Sequence, residues 1–193
     1  MGIRERACDG RLQFNDDNLQ QLALFYAAAQ IEEPNLNLEP PPESLLDQIE
    51  LAAVDTVTVS REQQDVSSTL TKLNIDHKME VSPFESSNVT FNTSTMLNID
   101  IVISKDENKN IAIEFNGPSH YIQCDGRDFS SGRTKFKRRL LEKLNFTVVS
   151  IHSDDWRKAI NANTRKDFLQ RLLAKTSCKD FLLLAKTSCQ FAN

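Results

Sequence analysis

Two carboxylates and a lysine are the residues whose types and spacing could do chemistry. In Asn98-Ile-Asp-Ile-Val-Ile-Ser-Lys-Asp-Glu-Asn-Lys-Asn-Ile-Ala-Ile-Glu-Phe-Asn-Gly117, two alternating apolar stretches flank a polar loop over residues 104–110. If Ile103 faces Ile111 across a hairpin, Asp100 lies directly opposite Glu114. Period-two alternation then puts Ile99, Ile101, Ile103, Ile111, Ile113 and Phe115 on one face. Asp100, Val102, Ala112, Glu114 and Asn116 share the other. Like charges directly opposite in a sheet are destabilising, so something must neutralise the pair: a cation, a basic side chain or a shared proton. A Mg²⁺ or Mn²⁺ ion held by Asp100 and Glu114 is one answer, because hard cations take carboxylate oxygens and leave waters free for chemistry. A salt bridge is the other.

The segment over residues 134–144 supplies a counterion. At roughly 100° per residue, Phe136, Leu140, Leu141 and Leu144 form an apolar arc and Lys137 falls inside it. Lys135, Arg138, Arg139 and Lys143 fall outside, interrupted only by Glu142, as a candidate phosphate-binding face. Between the second strand and this helix lies a loop over residues 117–132. Arg133, His120 and Tyr121 would line the surface of that loop beside the carboxylates, where the rings could stack on a base or handle a proton.

Further elements must hold these groups. Residues 18–32 have helical apolar spacing, with Asp16, Asp17 and Asn18 as candidate caps. The run Glu39-Pro-Pro-Pro-Glu43 reads as a stiff extended connection to a second amphipathic helix over 44–54. Ser60 with Gln63 reads as a capping box opening a helix to residue 73. Strands are expected over 77–81, 97–103, 111–116 and 146–152, and a last helix over 165–174. Ser153 is expected to cap a short turn bearing Trp156, a core or lid residue. The order α-β-β-β-α-β-α describes a mixed α+β (α/β) fold, a small sheet flanked by helices and preceded by a short helical segment. Residues 1–59 form that segment and 60–177 the mixed domain. Residues 178–193 repeat much of Lys166-Asp-Phe-Leu-Gln-Arg-Leu-Leu-Ala-Lys-Thr-Ser-Cys178 and carry no assigned role.

Composition bounds the partners. With 39% hydrophobic and 26% charged residues, the 193-residue chain can build a core. No stretch approaches the ~20 apolar residues of a membrane helix. Four cysteines without a CxxC give no case for zinc or a disulfide scaffold, so a soluble protein of a reducing compartment is expected. The net charge of −4 hides an asymmetry: residues 1–60 carry three basic and eleven acidic residues, and residues 111–193 carry fifteen basic and eight acidic. A basic C-terminal part points to an anionic partner such as nucleic acid. The first residues show no targeting peptide.

Three blocks also resemble a known family. Ile111-Ala-Ile-Glu-Phe-Asn-Gly-Pro-Ser-His-Tyr121, Gly132-Arg-Thr-Lys-Phe-Lys-Arg-Arg-Leu-Leu141 and Phe146-Thr-Val-Val-Ser-Ile-His-Ser-Asp-Asp-Trp156 are similar, in order and spacing, to the RAP domain over about residues 97–173. The resemblance implies a restriction-endonuclease-like fold related to the PD-(D/E)xK superfamily. It also implies a role in binding or processing single-stranded mitochondrial or plastid transcripts, with protein partners in an RNA-processing or ribosome-associated complex. RAP domains commonly terminate helical-repeat proteins, which fits residues 1–59 as a repeat end. In the nuclease pattern Asp100 and Glu114 are the metal-binding carboxylates and Lys137 would replace the lysine expected where Asn116 stands. A binding module without catalysis is the leading expectation, and a metal-dependent endoribonuclease the alternative.

Overall fold

The computed structural model describes residues 14–36, 38–39, 41–52, 58–84, 97–106 and 109–176. The chain divides into two units, one of residues 1–58 and 82–98, the other of residues 59–81 and 99–193. The duplicated tail lies outside the described residues.

In the first unit, helix α1 (Asp16–Glu32) packs on α2 (Glu43–Ala52) around Leu19, Ala23 and Ile49. The cap of α1 is Asn15, one residue before the expected candidates. Asn15 and Asn18 form a reciprocal capping box, so Asn18 sits three residues inside the helix. Such a box satisfies two of the donors that every helix start leaves orphaned.

The second unit follows the expected element order with one addition. Helix α3 (Arg61–Lys72) opens on the Ser60–Gln63 capping box and leads into β1 (Lys78–Val81). Then come β2 (Ile99–Asp106), β3 (Lys109–Asn116), β4 (Tyr121–Cys124), β5 (Arg127–Ser130), α4 (Gly132–Lys143), β6 (Phe146–His152), α5 (Ser153–Lys158) and α6 (Ala162–Thr176). The main sheet runs β1-β2-β3-β6, antiparallel except for the parallel β3–β6 pair that α4 connects. This is the expected mixed α+β architecture.

The sheet is buried on both faces. On one, Ile101, Ile103, Ile111, Ile113, Val149 and Ile151 pack with Val66 and Leu70 of α3, Trp156 of α5, and Leu169 and Leu173 of α6. On the other, Val102 and Ala112 pack with Leu141 of α4. Trp156 is a core residue that is also tied polar-side: its Nε1 donates to Asp65 Oδ2 at 3.1 Å, and Arg165 Nη1 reaches the same oxygen at 2.6 Å. That joint fixes α3, α5 and α6 together. The cap of α5 is His152, whose Nδ1 accepts from the Asp154 N–H at 3.1 Å, and not Ser153 as expected.

Two departures matter for the site. Ile99 does not share the face of Ile101; it packs with Val102, Ala112 and Leu141, as does its cross-strand partner Val81. Alternation is broken at that end of the β1–β2 ladder, where Glu80 sits at φ 51. The second departure is the addition. Residues 121–130, expected to be loop, form a separate two-stranded ribbon, β4–β5. Its turn residues Asp125 and Gly126 have φ 51 and 71, both positive as a two-residue primed hairpin turn demands.

Candidate functional site

The β2–β3 hairpin has the expected register, with Ile101 opposite Ile113 and Ile103 opposite Ile111. The ladder ends there. Beyond it, Asp100 does not simply face Glu114 across a backbone pair: its Oδ2 turns to the neighbouring strand and accepts the Phe115 N–H at 2.7 Å. A side-chain carboxylate therefore bonds a backbone donor of β3. A charge-assisted bond of this kind is stronger than a neutral one.

Glu114 points to the α4 side of the sheet. Its Oε2 lies 2.6 Å from Lys137 Nζ, with the two side chains only 9% and 18% exposed. The counterion is thus the lysine aimed inward from the apolar arc of α4, one turn ahead of Leu141. The Asp100 backbone also hydrogen-bonds this carboxylate, while Oε1 is buried without a hydrogen bond of good geometry. Burial pushes the Glu114 carboxyl up to about 7; Lys137 pulls against that rise and Asp100 adds to it.

A third carboxylate belongs to this site that the sequence did not announce. The β1–β2 register, with Met79 opposite Ile101 and Val81 opposite Ile99, sets Glu80 across from Asp100. Burial raises the Glu80 carboxyl, Asp100 raises it further, and Lys137 opposes. The row Glu80, Asp100, Glu114 therefore crosses three strands, with one lysine over it. Residues 81–99 separate Glu80 from Asp100 in sequence, so no short-range pattern reveals the pairing.

The neighbouring groups are also engaged. His120 ends a 3₁₀ turn (Pro118–His120) that meets the start of α4: Thr134 Oγ1 lies 3.3 Å from both its Nδ1 and its carbonyl, and the Ser131 N–H donates to that carbonyl at 2.8 Å. Burial holds its imidazole below the ordinary value, against Asp100 and with Lys137 and Arg133 adding to the lowering. Tyr121 is half-buried, its ring 4.4 Å from that of His152 and its hydroxyl bonded to Asn116. Asn116, where the nuclease pattern expects a lysine, is buried and spent on holding Tyr121.

The donor set does not fit a divalent cation as it stands. Lys137 already occupies Glu114 Oε2 and Asp100 Oδ2 serves the β3 backbone. Among the described residues no three His, Cys, Asp or Glu side chains converge as metal ligands. The charge that the opposed carboxylates require comes from Lys137.

The outer face of α4 is a different environment. Lys135, Arg138, Arg139 and Lys143 are exposed, as is Arg133 in the first turn. Arg138 pairs with Glu142 at 2.8 Å, and the Arg139 guanidinium lies 5.3 Å from the Phe136 ring centre. The site thus splits into a compensated interior and a cationic exterior on opposite sides of one helix.

Residues 113–172 match the RAP domain family. Over that span the chain is similar to the RAP domain. The matched span runs from the middle of β3 through α4, β6 and α5 into α6, so both faces of α4 fall within it. RAP is generally an RNA-binding domain, and the match supports a general RNA-binding role. No curated protein shows a significant match to the chain. No helix among the described residues is long and apolar enough to cross a membrane.

Proposed function

We propose that this chain binds single-stranded RNA through the outer face of α4, with Lys135, Arg138, Arg139 and Lys143 on phosphates and Arg133, His120 and Tyr121 beside them. The observation that supports it is the exposure of five cations on one short helix whose inner face is fully engaged by the sheet. Phosphate neutralisation makes affinity fall with salt, by a log–log slope of about 0.7 per contact for single strands. Replacing Lys135, Arg138 and Arg139 together by alanine should weaken binding and lower that slope by about 2. Unchanged affinity and slope, measured by fluorescence anisotropy across a salt series, would overturn the assignment. The RNA is a mitochondrial or plastid transcript in this reading, and α1–α2 the end of a helical-repeat region. Both parts rest on the company RAP domains keep, and localisation of the tagged full-length protein tests the first.

A second reading is a Mg²⁺- or Mn²⁺-dependent endoribonuclease using Asp100, Glu114 and Lys137. It requires Lys137 to leave Glu114 Oε2 and Asp100 Oδ2 to release the Phe115 N–H; the buried Glu114 Oε1, without a hydrogen bond of good geometry, is the atom that favours it. End-labelled single-stranded RNA incubated with Mn²⁺ and either wild type or Asp100→Ala decides between them. Cleavage lost in the variant establishes the nuclease. Intact RNA shifted equally by both proteins leaves a binding module.

A further inference from the structure

The β4–β5 ribbon inverts the usual burial pattern. Its cross-strand pairs are Tyr121 with Ser130, Ile122 with Phe129, Gln123 with Asp128 and Cys124 with Arg127. Alternation puts Tyr121, Gln123, Asp128 and Ser130 on one face, and Tyr121 seats that face on His152. The other face carries Ile122, Phe129, Cys124 and Arg127, and it points away from the sheet. Ile122 is 58% exposed and Phe129 49% exposed, directly opposite one another. Of the first face only Tyr121 and Ser130 are half-buried, Gln123 and Asp128 being exposed, while the large apolar pair faces solvent.

From this geometry we infer that the outward face of the ribbon, Phe129 with Ile122 beneath Arg127, is a stacking platform for the bases of single-stranded RNA. The inference rests on the RNA-binding reading above and assigns it a second contact surface. Charge selects the occupant. Arg127 shares the face, and Arg133 and Lys135 follow it immediately on the exposed part of α4. The two ribbon carboxylates are elsewhere, Asp125 in the turn and Asp128 on the inner face. A flat apolar surface bordered by cations suits a ligand with flat π-faces on a polyanionic backbone. The ribbon is also tied to the phosphate-binding helix: the Ser131 N–H and Thr134 Oγ1 both bond the His120 carbonyl, next to where β4 begins. Bases on the ribbon and phosphates on α4 would be read from one continuous strand.

The test is anisotropy of a fluorescently labelled single-stranded RNA of mixed sequence against the full chain and three variants: Phe129→Ala, Phe129→Leu and Phe129→Tyr. Because the side chain is half exposed, circular dichroism melts should be unaltered. Phe129→Ala and Phe129→Leu should each weaken binding by roughly 5- to 100-fold with the salt slope unchanged, since no phosphate contact is lost. Phe129→Tyr should restore it, and duplex RNA, whose bases are already stacked, should bind all four proteins alike. If wild type binds RNA and Phe129→Ala binds as tightly, the platform is wrong while the RNA reading stands. If Phe129→Leu matches wild type, the pair is an apolar docking surface, as for a protein partner, and stacking is overturned. If wild type binds no RNA, the RNA reading fails and the platform with it.

Discussion

The carboxylate row of the main sheet and the β4–β5 ribbon invert each other. Glu80, Asp100 and Glu114 are charged groups turned inward, each met by a partner: Lys137 on Glu114, the Phe115 N–H on Asp100, and Lys137 acting on Glu80. Ile122 and Phe129 are apolar groups turned outward. Residues with reactive potential are thus consumed by the fold, whereas residues with binding potential are left over. A buried ion pair is poor evidence of stabilisation in itself, because the desolvation of both charges offsets much of their attraction. An exposed apolar pair likewise contributes little to the fold. What a region is free to do is better judged by which of its groups still lack a partner than by which could do chemistry.

The largest effect should come from breaking the compensated region. Lys137→Met leaves Glu114 buried without its counterion and should cost about 3–5 kcal/mol at pH 8. At pH 5 the carboxyl is protonated in the folded protein and the cost should shrink. The double change Glu114→Gln with Lys137→Met should recover most of the loss. Urea unfolding at both pH values measures all three. A small loss for Lys137→Met at pH 8 would mean that the row is solvated, and the contrast with the ribbon would disappear.

The pH dependence sharpens the same point. The Glu114 carboxyl is near 7 when folded, against 4.5 when not. Its protonated form is favoured by folding, so its contribution is complete below about 4.5 and is lost as pH rises to about 7. The sign is opposite to that of an ordinary salt-bridged carboxylate. Wild type should therefore lose stability relative to Glu114→Gln between pH 5 and pH 8, by about 2–3 kcal/mol. Parallel thermal-midpoint profiles for the two proteins would show that Lys137 holds Glu114 ionised throughout.

Much of this was legible. The Ser60–Gln63 capping box, the 146–152 strand and the inward aim of Lys137 follow from short-range periodicity, and the structure carries all three. So does the Ile103–Ile111 register. What failed depended on distant or rotated backbone. Ile99 left its expected face because alternation breaks beside Glu80. Glu80 itself joined the row through a pairing across residues 81–99. The ribbon is another matter: Asp125-Gly126 is a strong hairpin signal, and its flanking Ile122 and Phe129 alternate properly. Its apolar face looks like no core strand, and that is the property that leaves it free.

The turn of the ribbon offers the gentlest way to break the comparison. Gly126 lies at φ 71 with open space where a Cβ would stand, so Gly126→Ala introduces backbone strain without a clash. The expected cost is about 1 kcal/mol, and it should be local, because residues 122–129 are all exposed and none joins the core clusters. Amide hydrogen exchange in β4 and β5 should quicken while exchange in β2, β3 and β6 stays as in wild type. Binding of single-stranded RNA should weaken in step with the loosened ribbon. If the core strands exchanged faster as well, the ribbon would be part of the cooperative fold, and its exposed pair would have to be counted among the groups that hold the domain together.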